Sequence, residues 1–196
     1  MNCILACLIA VSLQSNVYLP FDPGSRRDVS KIRLTEIGEF GLKRKARPTV
    51  PAHYHTGIDI RRPGGNYDAE PVFAMAAGKV ISKRTDGPYA NLIIEHLIDR
   101  VKVWTLYEHI AGILVNAGEI VTPSTPIARF MNRDELNRYG WQFDHFHFEV
   151  LRVQPLKLQP TAKNPERFFN AYSLVCYNLD DLYRYYYSPV KFLESH

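Results

Sequence analysis

The sequence predicts a mainly-β protein: a compact antiparallel β-sheet domain with an irregular N-terminal arm and a short C-terminal helix. Three observations carry that reading. From His53 onward, short β-prone runs are separated by turn residues, which argues against alternating βαβ units. Asn91–Leu97 and Val101–Leu106 are two such runs joined across Asp99-Arg100, the pattern of a hairpin, with Trp104 as a bulky core residue. Asp144-His145-Phe146-His147-Phe148-Glu149-Val150 alternates as a half-buried strand does. Side chains on a strand alternate faces, so His145, His147 and Glu149 share one face while Phe146, Phe148 and Val150 fill the other.

The 196 residues, 46% of them hydrophobic, suffice for one substantial core and are few for two. A formal charge of +4 is mildly basic and falls well short of a dedicated nucleic-acid binder. Residues 1–19 contain an apolar run from Cys3 to Val17 without a charge, too short for a comfortable membrane span and close to a secretory h-region in length. They read as a leader or as an apolar segment that packs on the domain, so no stable membrane span is expected in the mature chain. The three cysteines form no C-x-x-C pair, and loss of a leader leaves Cys176 single, which an oxidising compartment tolerates only when the thiol is buried or paired between chains.

In chain order, residues 20–52 are rich in Pro, Gly and charge and read as an arm, with Lys43-Arg44-Lys45-Arg47 as a solvated basic run. The domain proper spans 53–170. Pro71–Lys83 holds a strand, a turn near Gly78 and a second strand; Ile113–Val115, Ile120-Val121 and Ile127–Phe130 read as further short strands. Met131–Gln142 is a polar loop over the site, with a helical turn at Arg133–Tyr139. Asn164-Pro165-Glu166 predicts a helix start, with a capping residue, a proline in the first turn and an acid near the positive end. Residues 171–196 form a tyrosine-rich tail that packs on the sheet.

Two imidazoles one residue apart on a rigid strand suit metal chemistry, because one can hold an ion while its neighbour reaches the water beside it. The segment His55-Thr56-Gly57-Ile58-Asp59 adds a histidine and a carboxylate that converge if the chain turns at Gly57. With His147 they form a His, Asp, His set of nitrogen and oxygen donors, which suits one Zn2+ with a fourth position left for water. His109, at the end of the hairpin, and His145 remain to bond that water or a developing oxyanion. Glu149 is a partner for an imidazole N–H or a surface ion-pair former, and His53 competes as a ligand.

These segments resemble the lysostaphin-like zinc endopeptidases, a family that includes LytM and β-lytic enzymes. The resemblance covers roughly residues 53–170 through four motifs in order: H-x-x-x-D at His55 and Asp59, the run Pro71–Val80, Tyr107-x-His109-Ile110, and H-x-H-x-E at His145, His147 and Glu149. It implies that His55, Asp59 and His147 ligate zinc and that His109 and His145 assist catalysis. It also implies a β-sheet groove, peptidoglycan stem or cross-bridge peptides as substrate, and an extracytoplasmic setting. Two positions depart from the family pattern: Arg133–Gln142 replaces a Gly-rich, Ser/Thr-containing loop, and Asp144 stands where proline is common. Two rival readings are an inactive or regulatory cell-wall-binding module of the same fold, and a structural zinc site with His53 as fourth ligand.

Overall fold

The computed structural model describes residues 16–68 and 70–196. The leader reading therefore falls mostly outside the described residues, as do Cys3 and Cys7. Val17 and Leu19, at the described end of that segment, are buried in the main core. Among the described residues, no helix is long and apolar enough to cross a membrane.

The strands are β1 (Lys43–Arg44), β2 (His53–Tyr54), β3 (Ile58–Arg61), β4 (Pro71–Phe73), β5 (Gly78–Arg84), β6 (Asn91–Ile98) and β7 (Val101–Glu108), followed by β8 (Ile110–Ala111), β9 (Ile120–Val121), β10 (Pro126–Phe130), β11 (His145–Leu151), β12 (Leu156–Lys157), β13 (Phe169–Asn170) and β14 (Tyr186–Tyr187). Three short helices accompany them: α1 (Arg133–Tyr139), α2 (Leu179–Tyr185) and α3 (Pro189–Ser195). One antiparallel sheet runs β14-β11-β7-β6-β5-β9, with β3 pairing the first half of β11, and a three-stranded sheet runs β4-β10-β8. The fold is mainly β.

The β6–β7 hairpin is the spine. Its two-residue loop places Asp99 and Arg100 at φ of 47° and 68°, the doubly left-handed geometry whose twist matches that of the flanking strands. On β11 the two faces separate as the alternation predicts, but the strand is buried on both rather than half-buried. His147, Glu149 and Leu151 are buried on one face, and Phe146, Phe148 and Val150 on the other lie in the core that both sheets share, where Phe148 meets Tyr107 and Phe146 meets Phe130. Fully burying such a side chain contributes about 1.5–3 kcal/mol. The opposite face carries a second cluster, in which Ile93, Trp104, Leu106 and Leu151 lie under Ala171, Cys176, Leu182 and Tyr186 of the tail. The tail covers only one end of that face. Cys176 is fully buried, and burial pushes its thiol up to about 12.

Two local expectations fail for identifiable reasons. No helix starts at Asn164; Asn164 and Thr161 close a turn, and the chain continues into β13, which pairs with β12. The side chains that would have started the helix are spent elsewhere, Asn164 Oδ1 accepting from the Thr85 N–H and Glu166 from the Ala117 N–H and Lys83. Phe168 is consequently exposed. Ile113–Val115 is not a strand; Leu114 is exposed, and the pairing edge is taken two residues earlier by β8. By contrast α1 forms where expected, held by a reciprocal cap between Asn132 and Glu135.

His96 is structural. Its ring bonds the Ala77 carbonyl at 3.0 Å and the Thr105 hydroxyl at 2.8 Å, and burial lowers it to about 4 from the usual 6.5. An unfolded chain protonates this ring near 6.5 and the folded one only near 4, so its contribution is complete above pH 6.5 and is lost as pH falls toward 4. Urea unfolding across that window is expected to show a decline of about 3 kcal/mol from this group, with a shallower slope in His96→Gln.

Candidate metal centre and groove

The predicted site residues meet at the end of the second face that the tail does not reach. Pairing of β3 with β11 sets Asp59 opposite His147 and Arg61 opposite His145, and residues directly opposed across an antiparallel pair share a face. On the other side of β11, β7 ends at Glu108, and the next residue, His109, sits at φ 63°. Left-handed backbone at a non-glycine residue is costly and is retained where the surroundings over-determine it, often at functional sites. His55 arrives from the segment between β2 and β3. Gly57 is required for close approach: a Cβ there would run into the Phe148 carbonyl oxygen and lie 2.8 Å from His147 Cε1. Gly57→Ala is expected to destabilise the fold by about 1–3 kcal/mol, the scale of overpacking, measured by urea unfolding.

Three donor atoms converge. His55 Nε2 lies 3.1 Å from Asp59 Oδ1 and 3.0 Å from His147 Nδ1, and His147 Nδ1 lies 2.9 Å from Asp59 Oδ1. All three residues are buried, and they form a group able to hold a metal ion. The remaining atom of each is already engaged. His55 Nδ1 donates to the Glu39 carbonyl at 2.8 Å, which leaves Nε2 with its lone pair when the ring is neutral. His147 Nε2 lies 2.9 Å from Glu149 Oε1, and Asp59 Oδ2 accepts from Arg44 at 2.9 Å. Glu149 is fully buried, so of the two readings of this acid the imidazole partner is the one observed; Thr56 and Ser173 also donate to its Oε1.

The charges follow from this packing. Burial would raise the Asp59 carboxyl, but bonds from His147 and His55 hold it well below the usual carboxylate range. Burial opposes the charge on His147, yet Asp59 on one side and Glu149 on the other push it up to about 10, so a metal held at Nδ1 would take the place of a proton there. His145 is pushed down to about 4 by burial, and burial also lowers His109. His109 Nδ1 is tied to the Pro88 carbonyl at 2.6 Å, and its ring stands 5.1 Å from that of His145 and 4.9 Å from Phe143. His145 Nε2 lies 3.7 Å from Asp59 Oδ1. Asp144 points away from this cluster to Arg62 and Tyr67. His53 is held by the Pro51 carbonyl and is not in the metal-competent group.

Sequence reasoning missed the side chains that brace the site. Arg44, read as part of a solvated run, reaches Asp59, and the arm also holds the site's backbone through Thr35 N–H to the Asp59 carbonyl and Asp59 N–H to the Gly38 carbonyl. Nothing local in the sequence marks these contacts, since partners 15 to 93 positions apart meet only in the folded sheet. Beside His145 a groove of about 720 Å³ opens, lined among others by Glu36, Arg61, Tyr67, Trp141 and Gln142. Of the Met131–Gln142 segment, only its end, Trp141 and Gln142, contributes to the groove wall.

Comparison with known proteins identifies the family. No curated protein sequence matches the chain. Among solved structures, a zinc-containing peptidase from Vibrio cholerae is 27% identical, with 69% of this chain and 37% of that one covered and a TM-score of 0.42. LytU is 24% identical over 63% of this chain and 75% of its own, with a TM-score of 0.43. The catalytic domain of the antimicrobial peptidase lysostaphin from Staphylococcus simulans is 16% identical over 85% and 95%, with a TM-score of 0.48. The chain therefore spans well under half of the Vibrio protein. The profile of peptidase family M23 matches residues 53–160, more than half of the chain, and that span begins just before His55 and runs past His147. On that match the chain belongs to peptidase family M23, the lysostaphin-like metallopeptidases.

Proposed function

We propose that the protein is a zinc-dependent endopeptidase that cleaves peptide bonds in the stem or cross-bridge peptides of bacterial peptidoglycan, outside the cytoplasm. His55, Asp59 and His147 would hold one zinc ion. The observation that carries this reading is the juxtaposition of a three-donor group with two further imidazoles, His109 and His145, that take no part in it. The donor set fits zinc: two imidazole nitrogens and one carboxylate oxygen, each braced by a partner on its far side. Among the described residues no fourth His, Cys, Asp or Glu joins the group, as an enclosed structural site would require.

When bound, zinc supplies a Lewis acid that acidifies water and polarises a peptide carbonyl. The chain supplies the proton handling. His109, its Nδ1–H given to Pro88, keeps Nε2 as a basic atom, and burial keeps the ring neutral near pH 7, so it takes a proton from the attacking water and returns it to the leaving amine. His145, between His109 and Asp59, donates to the oxyanion. The peptidoglycan substrate and the envelope setting rest on family membership.

Zinc-loaded protein incubated with purified peptidoglycan is expected to release peptides with new amino and carboxyl termini, read by mass spectrometry and abolished by a chelator. Full zinc occupancy with no new termini from any peptidoglycan type would overturn the enzymatic reading in favour of a cell-wall-binding module.

A further inference from the structure

We propose that Arg61 is a carboxylate-recognition residue, selecting peptides that carry an acidic group within one or two residues of the scissile bond. The proposal rests on the peptidase reading above and names the substrate class that reading leaves open. The β3–β11 register puts Arg61 opposite His145, one rung beyond the Asp59–His147 pair and on the same face. Same-face positions along a strand are about 6.6–6.8 Å apart, close to the advance of an extended peptide over two residues. A substrate lying along the groove with its reacting bond at His145 therefore brings a neighbouring side chain or terminus to Arg61.

The charge balance of the groove singles out this residue. Arg62, next in sequence, is consumed: its guanidinium bonds Asp144 at 3.0 and 3.1 Å and the Met131 carbonyl. Arg133 lies over the Tyr67 ring, and Asp59 is engaged by Arg44 and the histidines. Arg61 is exposed and lines the groove, its main-chain N–H bonds Arg33, and its guanidinium has no hydrogen bond or ion pair among the described residues. Glu36 also lines the groove, and among the described residues it forms no ion pair with Arg61. A free guanidinium presents a planar fork of donors that fits a carboxylate with two parallel bonds. Tyr67 and Trp141, packed edge to face at 5.8 Å and with Trp141 48% exposed, offer an apolar wall for the carbon stem of the same substrate residue.

The test uses pairs of peptides identical except for a carboxylate or a carboxamide at one position on either side of the scissile bond. Zinc-loaded wild type is expected to favour the acid at one position by about 10- to 100-fold in kcat/KM, the range of a charge-assisted hydrogen bond. Arg61→Gln is expected to erase that preference through KM, with kcat on the amide peptide and zinc content unchanged, and Arg61→Glu to reverse it. A preference that survives in Arg61→Gln, or cleavage without discrimination at any position, overturns the proposal. Binding of the same pairs to chelator-treated protein, followed by NMR titration, separates this inference from the peptidase reading. If nothing is cleaved, tighter acid binding that is lost in Arg61→Gln upholds the subsite while the peptidase reading fails, and equal or absent binding overturns the subsite.

Discussion

Replacing His145 or His109 by alanine is expected to leave one zinc per chain in place and to cut peptide hydrolysis by roughly a hundredfold or more, the scale for a general acid-base group. The division follows from geometry. The three donor atoms of His55, Asp59 and His147 lie 2.9–3.1 Å from one another, whereas His145 Nε2 stands 3.7 Å from Asp59 and the His109 ring is 6.4 Å from that of His147. Removal of either outer imidazole leaves the trio and its bracing bonds intact. Metal analysis beside a turnover assay reads both halves of the prediction. Loss of zinc in His145→Ala would reassign that residue to the metal set and dismantle the proton-transfer scheme. The two variants should also differ: His109 has a tautomer set by Pro88, while among the described residues no hydrogen bond sets that of His145, so imidazole added in solution should rescue His109→Ala better.

What was legible in the chain is what depends on near neighbours. The Asp99-Arg100 hairpin, the α1 segment with its Asn132–Glu135 cap, and the alternation of His145 to Val150 are each encoded within a few residues, and the structure forms all three. The helix start at Asn164 has the same kind of local signal and fails, because tertiary partners at Thr85, Ala117 and Lys83 claim its capping groups. His55 with Asp59, and His145 with His147, could be named in advance from their spacing on single segments, and His109 from its place at the end of the hairpin. Their supports could not. Glu39 and Arg44 come from the arm and Ser173 from the tail, all outside the residues that match the family. The site is thus finished by the two least regular parts of the chain, which contribute a backbone carbonyl, a guanidinium and a hydroxyl that no periodicity announces.

That dependence makes Glu149 the sharpest probe of how the centre is held. Its carboxylate is fully buried, and Oε1 meets His147 Nε2 at 2.9 Å, Thr56 Oγ1 at 2.5 Å and Ser173 Oγ at 2.7 Å. Burial would favour the protonated acid, but the bond and charge of His147 keep it ionised. Glu149→Ala removes the common acceptor of three donors and leaves a cavity between sheet and tail. Breaking a buried charged pair by deleting one partner costs about 3–5 kcal/mol, and losing the outer partner of a ligating histidine weakens metal binding about 10- to 100-fold. Both losses are expected here, the first in urea unfolding of chelator-treated protein and the second in competition with a chromophoric chelator. Glu149→Gln preserves volume and one acceptor but not the charge, so it should recover most of the stability and less of the zinc affinity. Equal recovery of both would mean that Glu149 serves the fold alone. Wild-type zinc affinity in Glu149→Ala would show that the imidazole at 147 is oriented by the strand rather than by its far-side bond.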